Sequence, residues 1–301
     1  MMPLMGIGDE AGGSLASQIR ATRELNWDRI ELRAVELPGY PRQNLHDLPD
    51  PAFDTVVREL DTARLQVHCL SSTIMNWSRR VQDPFEPTLA EVKRAIPRMR
   101  RLGTRLVRIM SFKPDDDEYR IPAEVFRHVK DITNMFVDAG LQPAHENCMN
   151  YGGMSWQHAL ELLDKCPGLK WVFDTGNPVV LPDRSKPKPW PRQDPWEFWE
   201  HLRDHTVHLH VKDATWDAAT KRAKYHWPGE GQSQVCEILQ DALKRGYDAG
   251  VSIEPHMAAE FHDPKTKSPH EDAARANFIA YGRRLEQLLG GDQTDRPSAQ
   301  V

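Results

Sequence analysis

The segment HENCMNYGGMSW, residues 145–156, sets an imidazole, a carboxylate and a carboxamide side by side before a glycine pair and a helix start. Three other short segments share its character: FDTGN at 173–177, HLHVKD at 208–213 and SIEPH at 252–256. Each lies at the end of an apolar run that reads as a β-strand, and alternate residues of a strand share a face. Gln142, Ala144 and Glu146 then point one way, as do His208, His210 and Lys212, and Ser252, Glu254 and His256, while Asp174 ends the strand between. Inside a barrel this parity gathers two carboxylates, an imidazole and a third carboxylate at the ends of four neighbouring strands. Three uncompensated carboxylates there repel one another strongly. A divalent cation resolves the conflict. Three oxygen donors and one nitrogen suit a hard or borderline ion that keeps positions open for substrate. One ion per chain is expected, with Mn²⁺ the first choice and Mg²⁺, Co²⁺ or Zn²⁺ also admissible. Taken singly, a strand-end carboxylate is ordinarily a helix cap or ion-pair partner and a strand histidine an ordinary core residue. The conjunction on four strands carries the reading.

Eight short apolar runs must position these groups: 3–8, 29–34, 65–70, 105–110, 141–147, 169–174, 207–212 and 250–255. Amphipathic stretches such as SLASQIRATREL, PTLAEVKRAIPRMRRLG, PAEVFRHVKDITNMFVDAG and SQVCEILQDALKRG lie between them, several opening on Ser or Pro and closing on Gly. Eight strand and helix units in 301 residues predict an α/β fold of the closed (β/α)₈ TIM barrel type more than an open doubly wound sheet. No GxGxxG or GxxxxGK follows the first strand, which removes the best evidence for a nucleotide-binding fold. Residues 1–290 are expected to form one barrel domain and 291–301 a disordered tail. Two connections are long. NPVVLPDRSKPKPWPRQDPW, after the sixth strand, is dense in proline, which stiffens it and is expected to exclude it from helix and sheet. DATWDAATKRAKYHWPGEGQ, after the seventh, carries Trp216 and Trp227. Both leave the carboxyl ends of strands, where barrel enzymes place their sites, and read as substrate walls with Trp216 a substrate contact.

Bulk properties narrow the function. A net charge of -5 and a pI near 6.2 supply no basic field for a nucleic-acid partner. Hydrophobic residues make up 39% and the mean hydropathy is -0.64, so a very polar surface covers a substantial core. Cys69, Cys148, Cys166 and Cys236 show no CxxC spacing and read as reduced thiols. The start MMPLMGIGDE lacks a signal peptide's long apolar stretch, and no run approaches the roughly 18 apolar residues of a membrane span. A cytoplasmic chain with no membrane partner is expected.

In its eight-unit layout over roughly residues 3–290, and in HEN, FDTGN, HLHVKD and SIEPH in order and spacing, the chain resembles the xylose isomerase-like TIM barrels. That family includes sugar isomerases and epimerases and an apurinic-site endonuclease branch. The resemblance implies that Glu146, Asp174, His210 and Glu254 bind one divalent metal. It further implies that Glu146 and Glu254 stand on opposite faces of the substrate and shuttle a proton through a metal-bound enediolate. Lys212 either donates to the developing oxyanion or forms an ion pair with a neighbour such as Asp213. The endonuclease branch needs a histidine three places after the sixth-strand Asp; here that position is Asn177, read as a sugar hydroxyl contact or as a residue holding the turn. His68 stands as a remnant of that ligand set and a candidate substrate contact, while the fourth strand offers Arg108 and Met110 instead of a ligand.

Two histidines remain. Parity sends His145 behind its strand, toward packing or support of the ligands, unless the strand twists at its end and makes it catalytic. His256, on the Glu254 face, is the better candidate for a substrate contact or acid/base. Glu31 and Arg33 form an inward pair that is either a buried bridge of the wall or a substrate contact. The leading function is a metal-dependent isomerase or epimerase acting on a sugar or keto-sugar, with a homo-oligomer admissible. A lyase resembling the C-glycoside deglycosidases, with a small β-sandwich subunit as partner, uses the same metal and base. A catalytically silent sugar-binding barrel is the third reading.

Overall fold

The computed structural model describes residues 2–257 and 271–290. Its frame is eight parallel strands: β1 (Leu4–Gly6), β2 (Arg29–Leu32), β3 (Gln66–Ser71), β4 (Leu106–Ile109), β5 (Gln142–Glu146), β6 (Lys170–Asp174), β7 (Thr206–Val211) and β8 (Gly250–Ile253). Neighbours in sequence are neighbours in space, with β8 also pairing β1. A parallel bridge between Ile7 and Glu31 joins β1 to β2 and all but closes the ring. This is the expected TIM barrel, and each strand lies within about two residues of the run that predicts it.

The outer layer is α1 (Leu15–Glu24), α2 (Asp50–Ala63), α3 (Glu86–Leu102), α4 (Ala123–Asp138), α5 (Trp156–Lys165), α6 (Pro195–Leu202), α7 (Val235–Lys244) and α8 (Glu271–Gly290). The start and stop signals act as their chemistry requires. The hydroxyls of Ser14 and Ser155 accept from the first-turn amides of α1 and α5, and Gly103 ends α3 at φ +66°. Apolar faces of helices and strands meet in two clusters between the layers, while Cys69, Leu106, Ala144 and Val172 fill the bore beneath the polar mouth.

Both long connections are more ordered than the sequence suggests. The proline-rich one contains a helical turn at Asn177–Val180, an antiparallel bridge from Pro182 to Arg192, and the start of α6. Proline is disfavoured in helix interiors, although α3 accommodates Pro97, whereas Pro178 and Pro195 sit in first turns, where the missing N–H and preset φ cost nothing. Asp194 caps α6 by accepting from the Glu197 amide at 2.9 Å. The connection after β7 is a hairpin of Asp213–Asp217 against Arg222–His226, and an unforeseen second hairpin, Ala34–Leu37 against Tyr40–Asn44, follows β2. The four cysteines are free. Among the described residues no helix is long and apolar enough to cross a membrane. The expected tail, 291–301, lies outside the described residues.

Candidate metal centre and substrate mouth

Strand parity brings four side-chain atoms that could hold a metal ion to one point. One atom each from Glu146 (β5), Asp174 (β6), His210 (β7) and Glu254 (just past β8) lie within 4.8 Å of one another, and all four residues are buried. The register makes this possible, since Asp174 pairs His210 and His210 pairs Ser252 across adjacent strands. Each group is then fixed by a different element. Asp174 Oδ1 accepts from the backbone amides of Gly176 and Asn177 at 2.8 and 2.7 Å. Glu146 Oε2 accepts from Arg108 Nη1 at 2.9 Å, a residue of β4 on the inward face. Glu254 is held by Lys212 Nζ and Arg33 Nη1, both at 2.9 Å. His210 lies between carboxylates: Nδ1 is 3.1 Å from Glu146 and Nε2 3.1 Å from Glu31, which in turn is 2.8 Å from His208 Nε2.

The electrostatics fit a divalent cation. Six buried carboxylates (Asp9, Glu10, Glu31, Glu146, Asp174, Glu254) face four cations (Arg33, Arg42, Arg108, Lys212), leaving a deficit of two while the imidazoles are neutral. Asp174 Oδ2, fully buried, sits 2.9 Å from the Lys212 ammonium but outside hydrogen-bonding geometry, so it has no hydrogen-bond donor. Burial pushes its carboxyl up to about 7; Lys212 opposes this, while the charges of Glu254 and Glu146 add to it. Burial acts in the same direction on Glu146, but Arg108 and His210 outweigh it and hold that carboxyl at about 2. Burial would lower His210, yet Glu31 and Glu146 raise it to about 10. Protons and the Lys212 ammonium thus do in part what a metal would do fully.

Three further groups of three satisfy the same distance among the described residues: Glu31, Cys69 and His208; Glu10, Glu254 and His256; His46, Asp47 and Glu91. Only the first-described set has four members. The second of the three shares Glu254 and is spanned by Arg33, which bonds both glutamates. Around Asp47 and Glu91 stand Arg94 and Arg79.

Above the ligands opens a cavity of about 120 Å³, lined by Arg33, Arg108, Lys212, Glu146 and Glu254 and, from the loop after β3, Thr73, Asn76 and Trp77. Arg33 and Lys212 therefore reach the mouth, and Lys212 pairs Asp174 and Glu254 instead of Asp213. His256 is anchored by Glu10, with Nδ1 2.9 Å from its carboxylate, and its Nε2 stands 3.9 Å from Glu254. Asn177 holds the turn through its backbone, while its side-chain Nδ2 is buried with no protein acceptor.

Four expected contacts lie elsewhere. His145 faces away from the carboxylates, stacked on Trp171 at 4.9 Å with Nε2 2.9 Å from Ser111 Oγ; burial holds it at about 3, a neutral packing group and not a catalytic one. Glu31 is fully buried beneath His210 and supports that imidazole instead of meeting substrate. The β2–β3 register skips His68, which therefore turns into the bore beside Cys69 but at its amino-terminal end, against Arg29, His208 and Gly250. Trp216 is covered by Arg192, whose guanidinium carbon is 3.4 Å from the ring centroid, over a groove lined by Gln232 and Gln234.

Sequence reasoning passed over Arg108 as a partner, although a charged residue on the inward face of RLVRIM was a visible signal. It also passed over Asp9 and Glu10, an acidic pair directly after β1. Nothing local marks Thr73, Asn76 and Trp77.

Comparison with known proteins agrees with this architecture. The model of the xylose isomerase-like TIM barrel matches residues 19–278. No curated protein sequence matches. Among solved structures, the probable 3-DHS dehydratase AsbF from Bacillus anthracis superposes with a TM-score of 0.68 at 18% identity, over 95% of this chain and 99% of that one. A D-tagatose 3-epimerase-like protein gives 0.67 at 19% identity, over 95% and 97%. A xylose isomerase-like TIM barrel protein from Mycobacterium smegmatis, in complex with magnesium, gives 0.62 at 17% identity, over 96% and 97%. The chain belongs to the xylose isomerase-like TIM barrel family.

Proposed function

We propose that residues 1–290 act as one barrel domain that isomerises or epimerises a sugar or keto-sugar by proton transfer, with one divalent metal held by Glu146, Asp174, His210 and Glu254. The observation that carries this reading is the convergence of those four ligand atoms within 4.8 Å, around a carboxylate oxygen that lacks a hydrogen bond. The relatives named above as a dehydratase and an epimerase-like protein point to the same chemistry, and the magnesium complex to a hard ion. Mn²⁺ is the first choice for three oxygens and one imidazole, with Mg²⁺, Co²⁺ or Zn²⁺ admissible. A metal at this point supplies Lewis acidity, making the C–H beside a carbonyl easier to ionise. The chain does the rest. Glu146 and Glu254 are both held in the ionised form, the state needed to accept a proton from the substrate carbon and return it on the other face. Lys212 Nζ, in the mouth, donates to the enediolate oxygen, and His256 is the second acid/base beside Glu254. Arg33 and the Asn177 amide hold hydroxyls. Carbohydrate is the small-molecule partner, and the protein works in the cytoplasm, alone or as a homo-oligomer.

The test is ¹H NMR in D₂O with keto sugars and saturating Mn²⁺. Wild type exchanges the hydrogen beside the carbonyl, and Glu146→Gln and Glu254→Gln lose that exchange by at least about 10²-fold, because a carboxamide keeps a coordinating oxygen but accepts no proton. Full exchange in both metal-saturated variants, with loss in His256→Ala, would move the chemistry to the imidazole.

A second cavity beside the mouth favours one alternative outcome of the same proton abstraction, expulsion of a leaving group from a keto-glycoside. A small β-sandwich subunit would accompany that lyase.

A further inference from the structure

His46 is fully buried, yet neither of its ring nitrogens has a hydrogen-bond partner among the described residues. Buried polar groups are nearly always paired, so an imidazole left this way points to a ligand. It stands with Asp47 in the 3₁₀ turn Leu45–Asp47, which leads from the second hairpin to α2, and it approaches Glu91 in the second turn of α3. One ligand atom from each of the three lies within 4.8 Å of the other two. His46 Nε2 is 3.5 Å from Asp47 Oδ2, and Glu91 Oε2 is buried with no donor among the described residues. None of the three lines the mouth.

The carboxylates keep lone pairs for a cation in spite of their arginines. Arg94 donates to Asp47 Oδ1 and Arg79 to Glu91 Oε1, so each guanidinium meets one oxygen of its carboxylate and leaves the other with lone pairs to offer. Asn44 also bonds the Asp47 carboxylate. The two arginines balance the carboxylate charge, and an ion is therefore held by direct coordination more than by long-range attraction. The Arg94 and Arg79 side chains are 45% and 29% exposed, so water screens their repulsion. The turn is fixed in advance: Arg98 donates Nη1 to Leu45 O at 2.9 Å and Nη2 to Leu48 O, on either side of His46. Ligands formed before the ion arrives lower the entropic cost of binding. The Asp47 side chain, 30% exposed, leaves a route in from solvent. One imidazole and two carboxylates, with a position left for water, suit Zn²⁺.

We propose that His46, Asp47 and Glu91 form a second metal site, a structural one for Zn²⁺, which ties the turn before α2 to α3. Arg79 extends the tie toward the mouth, since its amide donates to Asn76 O at 3.1 Å and its carbonyl accepts from the Lys113 amide at 2.8 Å, fixing the loop whose Asn76 and Trp77 wall that cavity. The site is independent of the metal-centre reading. Its test therefore reads metal binding and not turnover.

Protein carrying ¹³Cε1-labelled histidine is titrated with ZnCl₂, the His46 and His210 signals being assigned by their loss in His46→Leu and His210→Gln. Both signals are expected to shift in the wild type, and zinc retained after gel filtration to fall from about two ions per chain to about one in His46→Leu. In Glu91→Gln and Asp47→Asn, which remove a charge and keep the shape, the His46 signal is expected to need at least about tenfold more zinc while His210 titrates as before. A His46 signal that stays unmoved once His210 is saturated overturns the second site, as does an unchanged His46 midpoint in both carboxamide variants. A His46 shift without any His210 shift overturns the metal-centre reading and leaves the second site standing.

Discussion

His210 shows how one side chain can be set for metal by its neighbours. Its Nδ1 faces Glu146 at 3.1 Å and Glu254 at 3.9 Å, while Nε2 faces Glu31 at 3.1 and 3.2 Å. Glu31 therefore selects the tautomer that leaves Nδ1 as a lone-pair donor, and His208 fixes Glu31 in turn. Glu31→Gln is expected to weaken Mn²⁺ binding roughly 10–100-fold, the usual cost of losing a ligand's supporting carboxylate. Calorimetric titration showing wild-type affinity in that variant would remove Glu31 from the centre. Protons compete with the metal at the same residues. His210, raised to about 10, and Asp174, raised to about 7, must both lose a proton to become ligands. Metal affinity should accordingly rise with pH, by about tenfold per unit for each proton displaced. Titrations in buffers of different ionisation enthalpy should count about two protons released at pH 6 and about one at pH 8, because Asp174 is already ionised at the higher value. A pH-independent affinity would contradict the ligand set.

At the scale of elements, the connection from β5 to α5 is the tightest part of the mouth. A Cβ on Gly153 would lie 1.8 Å from the Cys148 carbonyl oxygen, a backbone atom with no room to move. The Asn150 side chain accepts from the Gly153 amide at 2.9 Å and locks the turn that places Cys148 between the two cavities. Gly153→Ala should cost roughly 1–3 kcal/mol in chemical denaturation, as overpacking of a fixed site does. Gly140→Ala, at φ +76° but facing open space, should lose less, since only backbone strain acts there. Equal losses would mean the close approach is relieved by movement of the loop. The sequence marked the start and stop of most elements because those signals are local. It mistook the proline-rich segment because proline's meaning depends on position: a breaker inside a helix, a starter in its first turn. That difference is set by where Asp174 and Asp194 accept backbone amides.

For the whole molecule, burying neutral histidines makes stability depend on acid. Burial lowers His145 to about 3, His46 to about 4 against the pull of Asp47, and His68, with the help of His208, to about 4. Between those values and the ordinary unfolded value near 6.5, the unfolded chain binds protons that the folded chain does not, so stability falls as pH falls. Asp174 acts oppositely, since its folded value of about 7 lets the folded state keep a proton the unfolded state releases. Three histidines against one carboxyl leave a net slope of roughly 2–3 kcal/mol per pH unit between pH 6 and 5 in the metal-free protein. Saturating metal ionises Asp174 and removes the opposing group, so the slope should steepen. Urea midpoints at pH 5, 5.5 and 6 with and without Mn²⁺ test this; His46→Leu should flatten both curves by one proton. Stability that rises on acidification in the metal-free protein would be inconsistent with neutral burial of these rings.

What the sequence determined by itself was whatever follows from period and spacing. The two-residue alternation of strands put Glu146, His210, Lys212 and Glu254 on one side and His145 on the other, because a side chain's face is fixed by parity within its own strand. Eight such strands with helices between them were enough to specify a barrel. What only the tertiary structure decided was who meets whom across the bore. Glu31, expected as a substrate contact, lies under His210, and Arg108 lies over Glu146, pairings separated by 179 and 38 residues of chain. His68 was displaced from the mouth by a skipped residue in the β2–β3 register, and Trp216 by an arginine from the preceding loop. Alternation determines direction but not depth. Depth along a barrel axis is set by the stagger of neighbouring strands, which only the closed ring defines.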